Sequence, residues 1–236
     1  MQQTAVIILA GGSGQRMMGM GNDKVLLPLL GQPAWLYGWQ AFETAAIADS
    51  YWVAYRDEQQ RDALQASLSE LSVTKPIHWE AGGAARMDSV YAALAVIPDD
   101  FRYVFIHDAA RPLITPKALQ LLQASVLKNG AAVLARRPKD TLKRVPVNAA
   151  TGEPLRLEDL DRCRLWAVET PQAFDRRTII EAYRAVRAKG LSITDDTAAL
   201  EVIQKAVAIV ENPDPNPKLT TPDDIPLLTA LLENRN

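Results

Sequence analysis

Two cations just beyond a glycine-rich turn are, by type and spacing, the residues of this chain best suited to do chemistry. Gly11, Gly12 and Gly14 fall within four positions, and Arg16 and Lys24 come after them. Glycine lets a backbone turn tightly and lie close to a ligand. A loop leaving a strand points its amide groups outward, so Arg16 and Lys24 beside it make a cradle for a polyphosphate. The alternative is an ordinary strand-to-helix turn with two solvated cations. Two familiar phosphate motifs are excluded. A Gly-x-Gly-x-x-Gly count from Gly12 finds Met17 at its third glycine. A Walker-type count from Gly14 reaches Gly19 and then meets Met20 and Gly21 instead of Lys-Ser/Thr.

A second glycine pair, Gly82-Gly83, precedes Arg86, Ser89 and a helical run through Tyr91, Leu94 and Ala95. Residues three apart share one side of a helical turn, so Arg86 and Ser89 face the same way. Ser89 could donate to a base edge or phosphate; a helix cap or a bond back to the backbone is the plainer reading. The apolar run Phe101–Ile106 ends in His107-Asp108. An acid at the carboxyl end of a buried parallel strand lies where open α/β sheets bind ligands. Asp108 is therefore a candidate Mg²⁺ contact, because Mg²⁺ favours one or two carboxylates plus substrate phosphates. His107 reads as structural. His78 is the only other histidine, so a histidine-rich zinc site is not expected.

The elements that must position these residues alternate along the chain. Ala5–Leu9 is an apolar, β-branched run that reads as a strand buried on both faces. Further strands are predicted at Tyr51–Tyr55, Pro76–Trp79, Phe101–Ile106, Ala131–Ala135, Leu165–Glu169 and Ala206–Glu211. Helices are predicted at Ala34–Ala46, and at Asp57–Leu71 with Ala63, Leu64, Leu68 and Leu71 inward and its Gln, Arg and Glu residues outward. Thr115 caps a helix that starts with Pro116 and closes at Gly130, and Asp175 caps one that closes at Gly190. Thr197–Gln204 and a segment from Thr221-Pro222-Asp223-Asp224 to the C-terminus complete the set. Alternation of this kind implies an α/β fold with a doubly wound, mostly parallel sheet.

Residues 138–164 break the pattern. They are basic and proline-punctuated, with too little apolar content for a layer of the main core. They read as a protruding arm whose apolar side needs a partner, most economically a second copy of the chain; a loose basic loop is the alternative. At 236 residues the chain fits a single domain carrying this insertion. A net charge of −2 gives no reason to expect nucleic-acid or membrane binding. Cys163 is the only cysteine, which excludes an intrachain disulfide and a cysteine metal cluster. The first apolar run is short and lacks a preceding basic region, so neither a signal peptide nor a membrane span is expected, and a cytoplasmic location is.

Leu9 to Met17 with Lys24 beyond it resembles the Leu-Ala-Gly-Gly-x-Gly-x-Arg-Met…Lys signature of nucleotidyltransferases acting on phosphorylated sugars or alcohols. Those proteins usually carry Pro-Lys-Gln around the lysine, where this chain has Asp23-Lys24-Val25. Gly82 to Val90, His107 to Pro112, Asp140-Thr141-Lys143-Arg144, Asp161-Arg162, Thr170 to Phe174, Thr194 to Glu201 and Lys218-Leu219-Thr220 extend the likeness nearly end to end. In that order they resemble the 2-C-methyl-D-erythritol 4-phosphate cytidylyltransferase family. The resemblance implies a Rossmann-like nucleotidyltransferase with a protruding β-arm, a homodimer, CTP and a phosphorylated polyol as substrates, and Mg²⁺ or another divalent cation. It implies that Ala10, Gly11 and Gly12 line the base and triphosphate, that Gly83, Arg86 and Ser89 hold the nucleoside, and that Asp108 and Ala109 sit near nucleotide and metal. Arg16 and Lys24 would neutralise charge growing on the α-phosphate. Arg111, Thr141, Arg162, Thr194 and Lys218 would hold the polyol phosphate, with Thr141 and Arg162 delivered across a dimer interface. A ribitol 5-phosphate cytidylyltransferase is the nearest alternative, and a non-catalytic nucleotide-sensing module the alternative from a different class.

Overall fold

The computed structural model describes residues 3–12, 23–69, 71–146, 152 and 154–235. Its first strand, β1 (Gln3–Leu9), keeps Ala5, Val6, Ile7 and Ile8 at 0–1% exposure, the two-sided burial its continuous apolar run predicts. A two-strand ribbon, β2 (Pro28–Leu29) and β3 (Gln32–Pro33), turns through Gly31 at φ 90°, a conformation natural to glycine. Then come α1 (Ala34–Ala45), β4 (Ser50–Tyr55), α2 (Glu58–Ser67), β5 (Ile77–Ala81), α3 (Arg86–Val96) and β6 (Phe101–Asp108). The second half holds α4 (Pro116–Asn129), β7 (Ala131–Arg136), β8 (Lys143–Arg144), β9 (Glu158–Asp159), β10 (Ala167–Asp175), α5 (Arg176–Ala188), α6 (Asp196–Val202), β11 (Ala208–Glu211) and α7 (Asp224–Glu233).

Seven strands form one sheet in the order β11-β7-β10-β6-β1-β4-β5. β1 pairs in parallel with both β4 and β6, β4 with β5, and β7 with β11; only β10 runs antiparallel, between β6 and β7. Alternate residues of β1 serve opposite faces, as a period of two requires. Val6 and Ile8 join Trp35, Phe42 and Leu119 from α1 and α4. Ala5 and Ile7 join Val90, Leu94, Ile179 and Tyr183 from α3 and α5. Helices therefore cover both faces of the sheet. Chain order reverses at β1, whose neighbours β4 and β6 lead away on either side, and this is the crevice where open α/β sheets bind ligands.

Cap chemistry ends the helices where sequence placed them. Thr115 Oγ1 accepts from Ala118 N–H at 3.2 Å, Gly130 closes α4 at φ 75°, and Asp175 Oδ1 accepts from Thr178 N–H at 3.0 Å. Several boundaries differ from expectation. α2 stops at Ser67, Ala63 is exposed, and the buried face is Gln60, Leu64 and Leu68, a strict four-residue stripe that puts a glutamine inside. In α3 the inward alanine is Ala93, and Ala95 is exposed. α6 begins at Asp196 rather than Thr197 because Asp195 is its cap, accepting from Ala198 N–H at 3.1 Å. α7 begins at Asp224, whose carboxylate takes the Thr220 and Thr221 N–H groups at 2.8 Å each. Within residues 138–164, β8 and β9 pair antiparallel as an exposed hairpin, and Leu142, Val145, Leu155 and Leu157 stay 36–56% exposed. No helix among the described residues is long and apolar enough to cross a membrane.

Candidate active site

Four parallel strands end side by side, and the turns and loops leaving those ends line one cavity of about 480 Å³. β1 contributes Leu9 and the turn Ala10, Gly11 and Gly12; β4 contributes Arg56; β5 leads to Gly83 and on to Arg86 and Ser89; β6 contributes Asp108 and Ala110. Lys24 and Lys218 complete the charged lining. Four cations, Lys24, Arg56, Arg86 and Lys218, therefore line the cavity with one carboxylate, a donor set that suits a polyanion.

The glycines are where the backbone must come close. A Cβ on Gly11 would sit 3.1 Å from the Tyr55 carbonyl carbon, and one on Gly83 would fall 2.3 Å from Asp88 Cβ. Glycine there lets the turn after β1 lie against the end of β4, and the turn after β5 lie against the first turn of α3. Ser89 Oγ accepts from Gly83 N–H at 3.0 Å and donates to the Ala85 carbonyl at 3.3 Å. The backbone reading of this hydroxyl holds: it fastens the glycine pair to α3 while still lining the cavity.

Asp108 is the electrostatic centre. Its Oδ1 accepts from Arg86 Nε at 3.2 Å and its Oδ2 from Lys218 Nζ at 2.6 Å, with Arg111 Nε 3.9 Å away. Burial opposes its ionisation, but Arg86, Lys218 and Arg111 outweigh it and hold the carboxyl well below the usual carboxylate range. Arg86 is itself clamped, because both its terminal nitrogens donate to the fully buried Asp196, at 2.9 and 2.8 Å. Burial works against the guanidinium charge, and Asp196 outweighs it, so the Arg86 pKa is raised. Tyr183 Oη donates to the same carboxylate at 2.5 Å.

His107 is held neutral, because burial pushes its pKa down to about 4. The neutral ring donates from Nε2 to the Arg111 carbonyl at 3.2 Å and accepts at Nδ1 from the Thr170 hydroxyl at 3.3 Å. Thr170 Oγ1 in turn accepts from Asp108 N–H at 3.0 Å. The structural reading of His107 therefore stands: it braces the turn that carries Asp108 and Arg111. Behind this turn Arg111 Nη1 donates to the Asn216 carbonyl at 2.8 Å. Asn216 is fully buried, and its amide donates to the Thr170 carbonyl at 2.9 Å and to Glu169 Oε2 at 3.3 Å.

Of the expected site residues, Ala10, Gly11, Gly12, Lys24, Gly83, Arg86, Ser89, Asp108 and Lys218 line this one cavity. Ala109 does not line it; its N–H donates to the Leu9 carbonyl at 3.1 Å, and Ala110 faces the space instead. Arg111 lies just behind Asp108. Thr141, Arg162 and Thr194 lie outside it, and Arg162 Nη1 donates to the Lys139 carbonyl at 2.8 Å on the arm. Arg16 and the stretch from Met17 to Asn22 lie outside the described residues. Sequence reasoning missed Asp196, Glu169 and Asn216 as supports for the site. Acids within apolar-flanked blocks, Val168-Glu169 and Asp196 ahead of Ala198-Ala199-Leu200, are the available signal for two of them.

A divalent cation fits this donor set in one manner. No group of three or more His, Cys, Asp or Glu side chains is placed to hold a metal among the described residues, and Asp108 is the only carboxylate among those lining the cavity. That suits Mg²⁺, which completes its shell with phosphate oxygens and water, and does not suit a closed protein cage.

Comparison with known proteins supplies the family. Residues 4–234 match the family model described as IspD, 2-C-methyl-D-erythritol 4-phosphate cytidylyltransferase. The protein of that name from Synechococcus sp. (strain CC9902) is 35% identical over 233 residues, covering 98% of each chain, and that from Bacillus cytotoxicus is 35% identical over 227 residues, covering 96% of each. The crystal structure of 2-C-methyl-D-erythritol 4-phosphate cytidylyltransferase from Francisella tularensis superposes with a TM-score of 0.77 at 27% identity, covering 97% of this chain and 99% of that one. A synthase structure from Anaerococcus prevotii shares the fold, with a TM-score of 0.84 at 22% identity and 98% and 99% coverage. With a glycine-lined, cation-rich cavity at the switch point of a mostly parallel sheet and a match along nearly its whole length, the chain belongs to the 2-C-methyl-D-erythritol 4-phosphate cytidylyltransferase family of nucleotidyltransferases.

Proposed function

We propose that the protein transfers the cytidylyl group of CTP to 2-C-methyl-D-erythritol 4-phosphate, giving the CDP-linked methylerythritol and pyrophosphate for non-mevalonate isoprenoid-precursor synthesis. The observation that carries this reading is the single cavity in which Lys24, Arg86 and Lys218 converge on glycine-lined backbone and one carboxylate. An oxygen of the substrate's 4-phosphate attacks the α-phosphorus in line, a P–O bond forms, and the bond to the bridging oxygen breaks as pyrophosphate leaves. A phosphate dianion is already nucleophilic, so the reaction needs positioning and charge stabilisation rather than a general base. Ala10, Gly11 and Gly12 bring backbone against the triphosphate, and Gly83 and Ser89 form the nucleoside wall. Lys24, with Arg16, neutralises charge at the α-phosphate, while Lys218 and Arg111 hold the polyol phosphate. Asp108 would hold Mg²⁺, which would supply Lewis-acid charge neutralisation. A cytoplasmic location fits soluble substrates of this kind.

Pyrophosphate release tests the reading. With CTP and Mg²⁺, release is expected with methylerythritol 4-phosphate and not with ribitol 5-phosphate. Reversed preference would transfer the assignment to the ribitol enzyme, and release with neither polyol would point to a nucleotide-sensing module.

Thr141 and Arg162 lie outside their own cavity but on an arm whose apolar side chains are exposed, so we propose that the arm docks on a second copy and delivers both residues to it. If so, mixing Lys24→Ala subunits with Arg162→Ala subunits should restore about a quarter of wild-type activity. Half of the randomly exchanged dimers then hold one intact site. Absence of recovery after exchange would mean that Arg162 serves its own chain.

A further inference from the structure

Residues 12 and 23 bracket the part of the glycine-rich segment that lies outside the described residues, and a single buried side chain ties the two flanks together. Gln60 is 2% exposed in the first turn of α2. Its Nε2 donates to the Ala10 carbonyl at 3.0 Å and also to Asp23 Oδ2, and its Oε1 accepts from Arg56 N–H at 2.6 Å. The amide thus uses both donors and an acceptor at once, each toward a different chain segment. Asp23 is 8% exposed at its side chain. Its Oδ2 also takes Arg56 Nη1 at 3.0 Å, and its Oδ1 accepts from Val25 N–H at 3.3 Å. The Asp23 carbonyl accepts from Leu26 N–H at 2.9 Å, which starts the tight turn in which Lys24 sits. Arg56 is braced from behind by Asp57 Oδ2 at 2.7 Å, and Asp57 is the cap of α2.

The consequence for Lys24 is positional. Its backbone is flanked by an acid fixed to α2 on one side and a valine amide fixed to that same acid on the other. Its side chain lines the cavity close enough to Gly12 that a Cβ there would lie 3.9 Å from Lys24 Cε. A partly exposed ion pair such as Asp23–Arg56 adds little to the stability of a fold. Burying a glutamine and an aspartate together at this point has little justification as stabilisation alone.

We infer that Asp23 and Gln60 are positioning residues that set the place of Lys24 against the reacting phosphate. This inference rests on the cytidylyltransferase reading for its effect on rate, but the clamp itself does not. The test is a double-mutant cycle on the full-length protein. Asp23→Ala and Gln60→Met are each expected to lower kcat about ten-fold, since small misplacements of a reacting group are costly, with KM for CTP within about two-fold. Asp23→Asn has a single amide oxygen, so it keeps the acceptor for Val25 N–H or for Gln60 Nε2 but not both, and should recover only part of the loss. In a Lys24→Ala background the Asp23→Ala loss should vanish, because a residue acting through another has nothing left to act on. Persistence of the full loss in that background, or a lowered Tm with unchanged kcat, would overturn the inference. Amide hydrogen exchange over residues 24–27 supplies a second measurement independent of turnover. Gln60→Met touches none of those amides directly, yet should speed their exchange about ten-fold. Unchanged exchange would show that no clamp exists. A wild type that releases no pyrophosphate would instead sink the functional reading and leave the clamp to be judged by exchange alone.

Discussion

Lys24→Ala lowers turnover with CTP and methylerythritol 4-phosphate by about 10²–10³, the size of effect seen on removing one preorganised charge-stabilising donor, while CTP affinity changes by only about three-fold. The loss equals about 3–4 kcal/mol of transition-state stabilisation. Its specificity for turnover comes from the surroundings of Lys24. The triphosphate keeps the glycine-lined backbone and the other cations of the cavity, so ground-state binding survives. The chemical step has no such reserve. His107, next to Asp108, has both ring nitrogens engaged and is held neutral and buried, so it offers no acid–base chemistry. Arg86 is committed to Asp196 and Asp108. Steady-state kinetics with calorimetric CTP binding reads both halves. Near-normal turnover would remove Lys24 from the reaction, and an equal fall in affinity would make it a binding cation only. Arg16→Ala is expected to behave in the same way, on the strength of the resemblance in the signature it shares with Lys24.

Asp196→Ala is the second large effect, and it acts on stability and site together. The carboxylate is fully buried and answers two Arg86 nitrogens and the Tyr183 hydroxyl. Breaking a buried pair by removing one partner costs about 3–5 kcal/mol, because an uncompensated charge remains. Here Arg86 keeps 28% side-chain exposure and its contact with Asp108, so about 2–4 kcal/mol is expected. Urea unfolding measures it through the midpoint at unchanged slope. Released from Asp196, Arg86 pulls on Asp108 and leaves its place in the cavity lining, so CTP affinity should fall about ten-fold or more in the same variant. A destabilisation below about 1 kcal/mol would mean that water substitutes for the carboxylate, which its complete burial argues against.

The elements legible in the sequence are those whose signals are local. The apolar run of β1, the Thr115-Pro116 start and Gly130 stop of α4, and the Asp175 cap of α5 each depend on a few neighbouring side chains, and each holds in the structure. The same is true of the candidate site where a motif carries it. Gly11, Gly12, Lys24, Gly83, Arg86, Asp108 and Lys218 come from separate blocks of the chain, yet they line one cavity. Gln60 shows where local reasoning fails. On helical pattern alone a glutamine in a charged run belongs outside, and Ala63 belongs inside. The fold reverses both, because the inward face of α2 is the stripe through Gln60, Leu64 and Leu68.

By itself, the sequence determined the α/β alternation, the strand-end placement of the glycines and of Asp108, and the family to which the chain belongs. These come from periodicity, caps and short motifs, and all of them act over a few residues. Only the tertiary structure decided the partners. Asp196 reaches Arg86 across 110 positions, Asn216 reaches Arg111 across 105, and Gln60 reaches Ala10 across 50. Each is a buried polar group whose desolvation must be offset by a hydrogen bond from wherever the fold brings one. That cost falls on any buried polar group, but nothing in the linear order says which segment will meet it.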